Sequence, residues 1–530
     1  MTSECYPISD LPGATRLFTD FSAGNLGSFL PLEDGRQPRP SLPLHWTQIT
    51  GLLSSQNPSA NVAMALESLC TGAGTIVTGQ QVGLFGGPMY TPLKAATAIA
   101  RARLATAAGR PHFPIFWLAS EDHDFAEISS VIFPIGKQLR TFTYTPSEDS
   151  AGRPVGSLIL DDSILPLVDE ATEILGASLA SEALTAAYKP GQTLAQAFGD
   201  FYRTIFAAQG LLVLDASGRA FHRMGSPVLR AAIEQADQFY AALVERNQAL
   251  EAAGYHTQVA VTENSTLLFL IEEQTGARVA LKRTPASTEE PNGLWQAGEK
   301  NYSTADLVGI LESEPERISP SALLRPVFQD FLLAPSAIIG GPAEIAYYAQ
   351  SGVLYERILD RQTPAFPRLS ATLVEPQVAE LLRKYDLTPA QVFAADSTAL
   401  SQRLAQHAMP EEGKQKIAAA GQALETELTS LVDWMQSLDK GLGQSADTAA
   451  GKMRYQMDRL RRLAENFLLQ KEATLGRQSQ ALHNALFPSG GLQERTHGAA
   501  YYFARHGLDL TETLTKHAAG SCTEHLVLWL

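Results

Sequence analysis

The chain has 530 residues, 45% hydrophobic and 18% charged, the balance of an ordinary globular protein of several units rather than a disordered or fibrous one. Its 41 basic and 56 acidic residues leave a net charge of −15; a field of that sign repels phosphate backbones and anionic lipid, so it argues against nucleic-acid and membrane partners. Three distant cysteines, Cys5, Cys70 and Cys522, match no metal spacing and no disulfide framework, and a reducing cytoplasm suits them best.

The first ten residues, Met1 to Asp10, have neither the basic start nor the apolar run of a signal peptide. Residues 68–93 carry no charge, but Gln80, Gln81, Pro88, Pro92 and six glycines make them unfit for a lipid-facing helix. They read instead as a β-branched strand (Thr75 to Thr78), a Gly/Gln loop and an Ala-rich helix from about Tyr90. Pro114 to Ala119 is a second apolar run of the kind buried on both faces, ending in Glu121-Asp122-His123-Asp124, and Leu211 to Leu214 is a third. Two such strands around one helix predict a right-handed crossover and a Rossmann-like parallel-sheet α/β core. Between these pieces, residues 130–156 suggest a small β insertion and residues 165–206 helices. Gln258 to Thr262, Leu267 to Ile271 and Arg278 to Lys282 alternate like antiparallel strands of a second insertion.

From Glu375 to Phe487 no strand is convincing. Thr388-Pro389 and Met409-Pro410 mark helix starts. Ile417, Leu424, Leu428, Leu431, Met435 and Leu438 then follow a heptad seam; after a break at Gly441 to Gly443, Met453, Met457, Leu460, Ala464 and Phe467 repeat the spacing. That predicts an antiparallel helical hairpin, either folded on itself or serving as a dimerisation arm.

Four segments carry candidate chemistry. In Thr78-Gly79-Gln80-Gln81 and its following glycines, backbone amides and side-chain amides are available to a polar ligand, although no phosphate-loop or dinucleotide signature is present. Lys94, one turn into the next helix, either reaches an anion or remains solvated. If the strand continues through Glu121 to Asp124, Glu121 and His123 share one face while Asp122 and Asp124 share the other. Three carboxylates would then favour a protonated His123, a general acid or an anchor for negative charge; too few ligands converge for a metal. Arg325 to Asp330 leads into Ala337 to Gly340, then Gly341-Pro342 and a helix whose first turn holds Glu344, where dipole complementarity alone would suffice. Near residue 495, Arg495 either grips a carboxylate or bridges to Glu494. His222 and Arg223 follow the third strand, where a solvated loop is the commoner outcome.

Together these segments resemble the bacillithiol-forming cysteine ligase family, BshC. The resemblance rests on Thr78 to Gln81 with Tyr90, Phe116-Trp117 through Asp124, Arg325-Pro326 with Gln329-Asp330, Gly340 through Tyr347, and Leu492-Gln493-Glu494-Arg495. It implies a cytoplasmic homodimer with a Rossmann-like core, two connecting insertions and a coiled-coil domain that mediates dimerisation. The implied reaction joins the carboxyl group of cysteine to the amine of glucosaminyl-malate. Activation by ATP is chemically reasonable because amide formation from a carboxylate and an ammonium is uphill, yet no phosphate-loop signature accompanies it. On this basis residues 1–375 form the core, with insertions near 130–206 and 220–320; residues 376–486 form the coiled coil, and residues 487–530 return to the core. Glu121, Asp122, His123 and Asp124 are the catalytic candidates. The substrate-binding candidates are Thr78, Gln80, Gln81, Tyr90 and Lys94 from the first segment, Arg325, Gln329, Asp330, Gly340, Gly341, Glu344 and Tyr347 from the third, and Gln493, Arg495 and Tyr501 from the last. A nucleotidyltransferase on a small polar substrate and a non-catalytic dimeric scaffold are the competing readings.

Overall fold

A computed structural model describes residues 2–31, 46–58, 60–146, 150–284, 294–471, 473–520 and 522–530. In chain order its strands are β1 (Thr2–Tyr6), β2 (Gly74–Gln81), β3 (His112–Ala119), β4 (Ser130–Ile135), β5 (Gln138–Thr143), β6 (Leu212–Asp215), β7 (Ser265–Ile271), β8 (Arg278–Thr284), β9 (Leu294–Ala297), β10 (Lys300–Tyr302), β11 (Ile318–Pro320), β12 (Ala337–Gly340), β13 (Ala365–Pro367), β14 (Ser370–Val374) and β15 (His525–Trp529).

The centre is a parallel sheet in the order β13-β12-β2-β3-β6. Ile76 and Val77 of β2 and Ile115 to Leu118 of β3 are buried, the reason these strands read as continuous apolar runs rather than alternating ones. The helix Tyr90–Ala107 crosses from β2 to β3 with a buried face rich in alanine. This is the Rossmann-like core that the sequence predicts.

The first insertion is the β4–β5 hairpin followed by helices Ile164–Leu175, Leu179–Ala187 and Leu194–Ile205. The second contains an antiparallel sheet ordered β10-β9-β8-β7-β11. Gln258 to Thr262, expected as a strand, is not one. The amide of Gln350 takes the place of a strand partner: its Oε1 accepts from the backbone N–H of Gln258 and of Val259, both at 2.9 Å, and its Nε2 donates to the Val259 carbonyl.

A further sheet, β1-β15-β14, holds β1 antiparallel and β14 parallel to β15. It corrects the cysteine reading: Cys5 and Cys522 form a disulfide with a Cα–Cα distance of 6.0 Å, because the ladder sets Cys5 opposite Leu526. A spacing of 517 residues conceals such a pair in the sequence, and the cysteines no longer argue for a reducing compartment.

The long helices Glu411–Leu438 and Lys440–Lys471 form the antiparallel coiled coil, with Arg454 on Glu425 at 2.8 Å and Gly443 against Gln436. The turn is the single residue Asp439, not Gly441 to Gly443, which lie inside the second helix. A Cβ on Gly443 would come within 2.7 Å of Gln436, so glycine there permits a close approach. The seam holds only in part: Leu428 is buried as expected and Gly443 and Ala450 lie inside with it, while Met453, Leu460 and Phe467 remain exposed. Among the described residues, no helix is long and apolar enough to cross a membrane.

Candidate active site

The carboxyl ends of β12, β2 and β3 open into one crevice of about 410 Å³. The chain leaves β2 for β3 on one side and returns through β12 on the other, the switch point where open α/β sheets receive ligands.

On the first wall, Lys94 donates to the Gly79 carbonyl at 2.8 Å and to Gln80 Oε1 at 2.7 Å, and pairs with Glu344 at 2.5 Å. It is buried, so it does not remain solvated, and the anion it reaches within the protein is Glu344; burial lowers its pKa and Glu344 opposes the shift. Glu344 also accepts from the N–H of Gly341 at 2.9 Å, which caps its own helix. Gln80 donates to the Tyr90 hydroxyl at 3.3 Å, and burial pushes Tyr90 up to about 12. Arg325 donates to the Tyr347 hydroxyl at 2.6 Å, and its helix Arg325–Leu333 closes the far wall.

At the β3 end the strand stops at Ala119, so residues 120–124 form a turn and the expected two-face alternation does not persist. Each titratable group takes a separate partner. Asp122 accepts from Gln81 and from the N–H groups of His123 and Asp124, at 2.7 and 3.2 Å for the last two; burial works to raise its pKa, but these hydrogen bonds hold it below the ordinary value. Asp124 caps the turn Phe125–Ile128 through the N–H of Glu127 at 3.3 Å and does not line the crevice. Glu121 turns inward to His222, 3.1 Å away.

His222 is therefore a buried residue, not part of a solvated loop; its neighbour Arg223 does face solvent. The other nitrogen of His222, Nδ1, lies 3.0 Å from the Ile318 carbonyl, so both nitrogens lie near acceptor oxygens, surroundings that favour the charged form. Burial works against that charge, but Glu121 raises the pKa of His222, and the same pairing holds Glu121 below the carboxylate range in spite of its burial.

His123 lines the crevice without the surrounding carboxylates expected: Asp122 is 3.7 Å from Nδ1, and Arg278 Nη1 is nearer at 3.0 Å. A guanidinium only donates, so Nδ1 accepts and the ring proton sits on Nε2. That arrangement suits a neutral hydrogen-bond donor rather than the imidazolium acid expected from the sequence.

Several candidates stand behind the crevice. The Thr78 hydroxyl donates to the Ile339 carbonyl of the neighbouring strand at 3.1 Å, and at Gly340 a Cβ would meet Tyr348 at 3.0 Å, so the first ties two strands together and the second lets the sheet pack close to its helix. Gln329 and Tyr355 donate to Asp330, whose burial raises its pKa. Gln493 holds the backbone of Leu373 in both directions at 2.8 Å, and Tyr501 donates to Glu375 at 3.2 Å in a different cavity.

At the crevice rim, Glu494 pairs not with Arg495 but with Arg368 at 2.5 Å, both buried, and accepts from the Ala371 N–H at 2.8 Å. Burial works to raise Glu494, yet Arg368 keeps its carboxyl below the ordinary range. Arg495 is left exposed on the rim with no hydrogen-bond or ion-pair partner for its guanidinium among the described residues. Arg278, Arg368 and Phe269 line the crevice without having been found in the sequence. Arg278 opens a strand of the second insertion and Arg368 follows β13, positions that no motif marks.

The comparisons agree with this architecture. Residues 45–369 match the model described as bacillithiol biosynthesis BshC, N-terminal Rossmann-like domain, and residues 371–530 match that of the C-terminal coiled-coil domain. The chain belongs to the BshC family. A relative from Koribacter versatilis named "Putative cysteine ligase BshC" is 40% identical over 543 residues, covering all of both chains. BshC relatives with the same name from Solibacter usitatus and Salinibacter ruber are each 32% identical; the first covers all of both chains, the second 84% of this chain and 80% of its own.

Proposed function

We propose that this chain is a cysteine ligase that joins the carboxyl group of cysteine to the amine of glucosaminyl-malate, forming the amide of bacillithiol. The observation that carries the reading is the single crevice in which Gln80, Gln81, Tyr90, His123, Arg325 and Arg495 converge at the carboxyl ends of three adjacent strands. A non-catalytic scaffold has no use for such convergence.

Arg495, free of protein partners, holds a carboxylate of the malyl moiety through parallel hydrogen bonds. His123 donates from Nε2 to an oxygen of the reacting carboxyl group, where negative charge accumulates as the amine attacks. Condensation of a carboxylate with an ammonium releases water and is uphill, so the carboxyl group needs activation before attack; ATP, cleaved to ADP and phosphate or to AMP and pyrophosphate, would supply it. The reaction runs in the cytoplasm, where ATP and cysteine are both at hand. The protein acts as a homodimer through the coiled coil: Trp434, Leu460 and Phe467 are 56%, 60% and 61% exposed on one hairpin, and a second copy removes them from water.

The deciding experiment incubates the protein with ATP, cysteine and glucosaminyl-malate and looks for the thiol product by mass spectrometry. Product that depends on all three, with ADP or AMP released in equal amount, supports the reading. Pyrophosphate release without amide formation favours a nucleotidyltransferase, and no turnover of any of the three favours a scaffold.

A further inference from the structure

Arg278 reaches the crevice along an unusual route. Both insertions meet beside the Glu121 to Asp124 turn: Gly156 N–H donates to the Ser120 carbonyl at 2.8 Å and Val155 N–H to the Asp122 carbonyl at 2.6 Å, so the first insertion is strapped onto the end of β3. The same strap grips the second insertion where β8 begins. The Arg278 N–H donates to the Gly152 carbonyl at 2.8 Å, and Arg153 Nε donates to the Thr275 carbonyl at 2.8 Å. The Arg278 backbone is thus fixed by one insertion while its sequence belongs to the other.

The side chain is equally constrained. It is buried, lies over the Phe269 ring at 3.7 Å, and donates to Ser319 Oγ at 3.0 Å, to the Pro320 carbonyl at 2.8 Å and to His123 Nδ1 at 3.0 Å. The charge of the Glu121 carboxylate, which lies 3.1 Å from His222, attracts the guanidinium. Three of its five N–H groups are bonded to the protein, one on each nitrogen, so the guanidinium is held in a fixed plane and determines how one crevice residue is presented.

We infer that Arg278 is a positioning residue for His123: it occupies Nδ1, fixes the plane of the imidazole and leaves Nε2–H as the ring's single donor on the crevice side. The buried Glu121, paired with His222, adds electrostatic attraction that favours the charged guanidinium. This inference rests on the ligase reading for its kinetic consequence only; the contact itself has its own readout. It assigns Glu121 a supporting place rather than a direct role on substrate.

The test is a double-mutant cycle in the full-length protein, with thermal midpoints recorded for every variant. Arg278→Met should lower kcat by about 100-fold, the order expected when a catalytic group is misplaced by about 1 Å, with KM changed less than about threefold. Arg278→Lys, which keeps the charge but lacks the fork that spans Ser319, Pro320 and His123, should recover part of the loss and carries the test if the Met variant does not fold. In a His123→Ala background, Arg278→Met should add less than about threefold, because residues acting as a unit are not additive. Losses that multiply in the double variant, or a rise in KM with kcat retained, would overturn the inference. A nitrogen NMR spectrum of histidine-labelled protein needs no turnover: the Nδ1 resonance of His123 should move when Arg278 is replaced, and an unmoved resonance refutes the contact. If the wild-type protein makes no thiol product but the resonance moves, the ligase reading fails and the positioning contact stands.

Discussion

In the crevice nearly every charge already has a partner inside the protein: Lys94 has Glu344, Arg368 has Glu494, Glu121 has His222. In the helical hairpin the situation is reversed, since Glu425 and Arg454 pair neatly across the two helices while Trp434, Leu460 and Phe467 stand in water. The crevice is short of unmatched polar groups and the hairpin is rich in unmatched apolar ones. On the proposed function, what each region leaves over is what its partner would meet: an anionic substrate group at Arg495 in one case, the hairpin of a second copy in the other. The few exceptions in the crevice therefore carry more functional information than the many charges around them.

The largest effect expected from disturbing this contrast comes from the buried pair. Replacing Arg368 by Met leaves Glu494 charged and without its ion-pair partner, and should cost about 3–5 kcal/mol of folding stability in urea unfolding. A smaller loss is expected for Glu494→Gln, whose one carbonyl oxygen can still accept from Arg368 and Ser370, both of which meet Oε1. Acid should act next. His497 and His525 are buried and neutral, and burial lowers each from 6.5 to about 4. The unfolded chain then takes up protons that the folded one refuses, so stability is complete above pH 6.5, falls as the pH drops toward 4 and levels off below. Each ring contributes about 3 kcal/mol to that loss, measurable from unfolding midpoints at pH 7, 5.5 and 4.5; a flat profile over that window would show that the two rings are not buried as described.

On the hairpin side, Leu460→Glu with Phe467→Glu removes apolar burial of about 2 kcal/mol per side chain from a dimer contact. Sedimentation should report a shift toward monomer with the helix content preserved; an unchanged dimer would move the interface elsewhere. The smallest expected effect is Arg495→Ala, which removes one charge-assisted contact worth about 1.5 kcal/mol and should raise KM for the anionic substrate about tenfold with kcat retained. Loss of kcat instead would place Arg495 at the reacting centre.

The sheet, the crossover helix and the hairpin were legible because each writes a period or a run into consecutive residues, as Ile115 to Leu118 and Leu424 to Leu428 show. The crevice was legible where a strand ends in glycine or charge. What escaped is what depends on distant partners. Asp122 and Asp124 look alike in sequence, yet one gathers the turn's amides and the other caps a short helix. Glu494 and Arg495 look like a pair, yet Arg368, 126 residues away, claims the carboxylate. Arg278 and His123 are 155 residues apart, and no local pattern connects them.

The β1-β15-β14 ladder, tied by Cys5 and Cys522, also sets an order of events during synthesis. β1 leaves the ribosome long before its partner: Cys522 follows Cys5 by 517 residues, and β15 begins just after it. At about 5–20 residues per second, β1 waits roughly half a minute to two minutes for that partner. Arg368 waits a shorter time, 126 residues, for Glu494, so that side of the crevice is finished only once Glu494 has emerged. A nascent chain can build its parallel sheet early, but it acquires a complete crevice late.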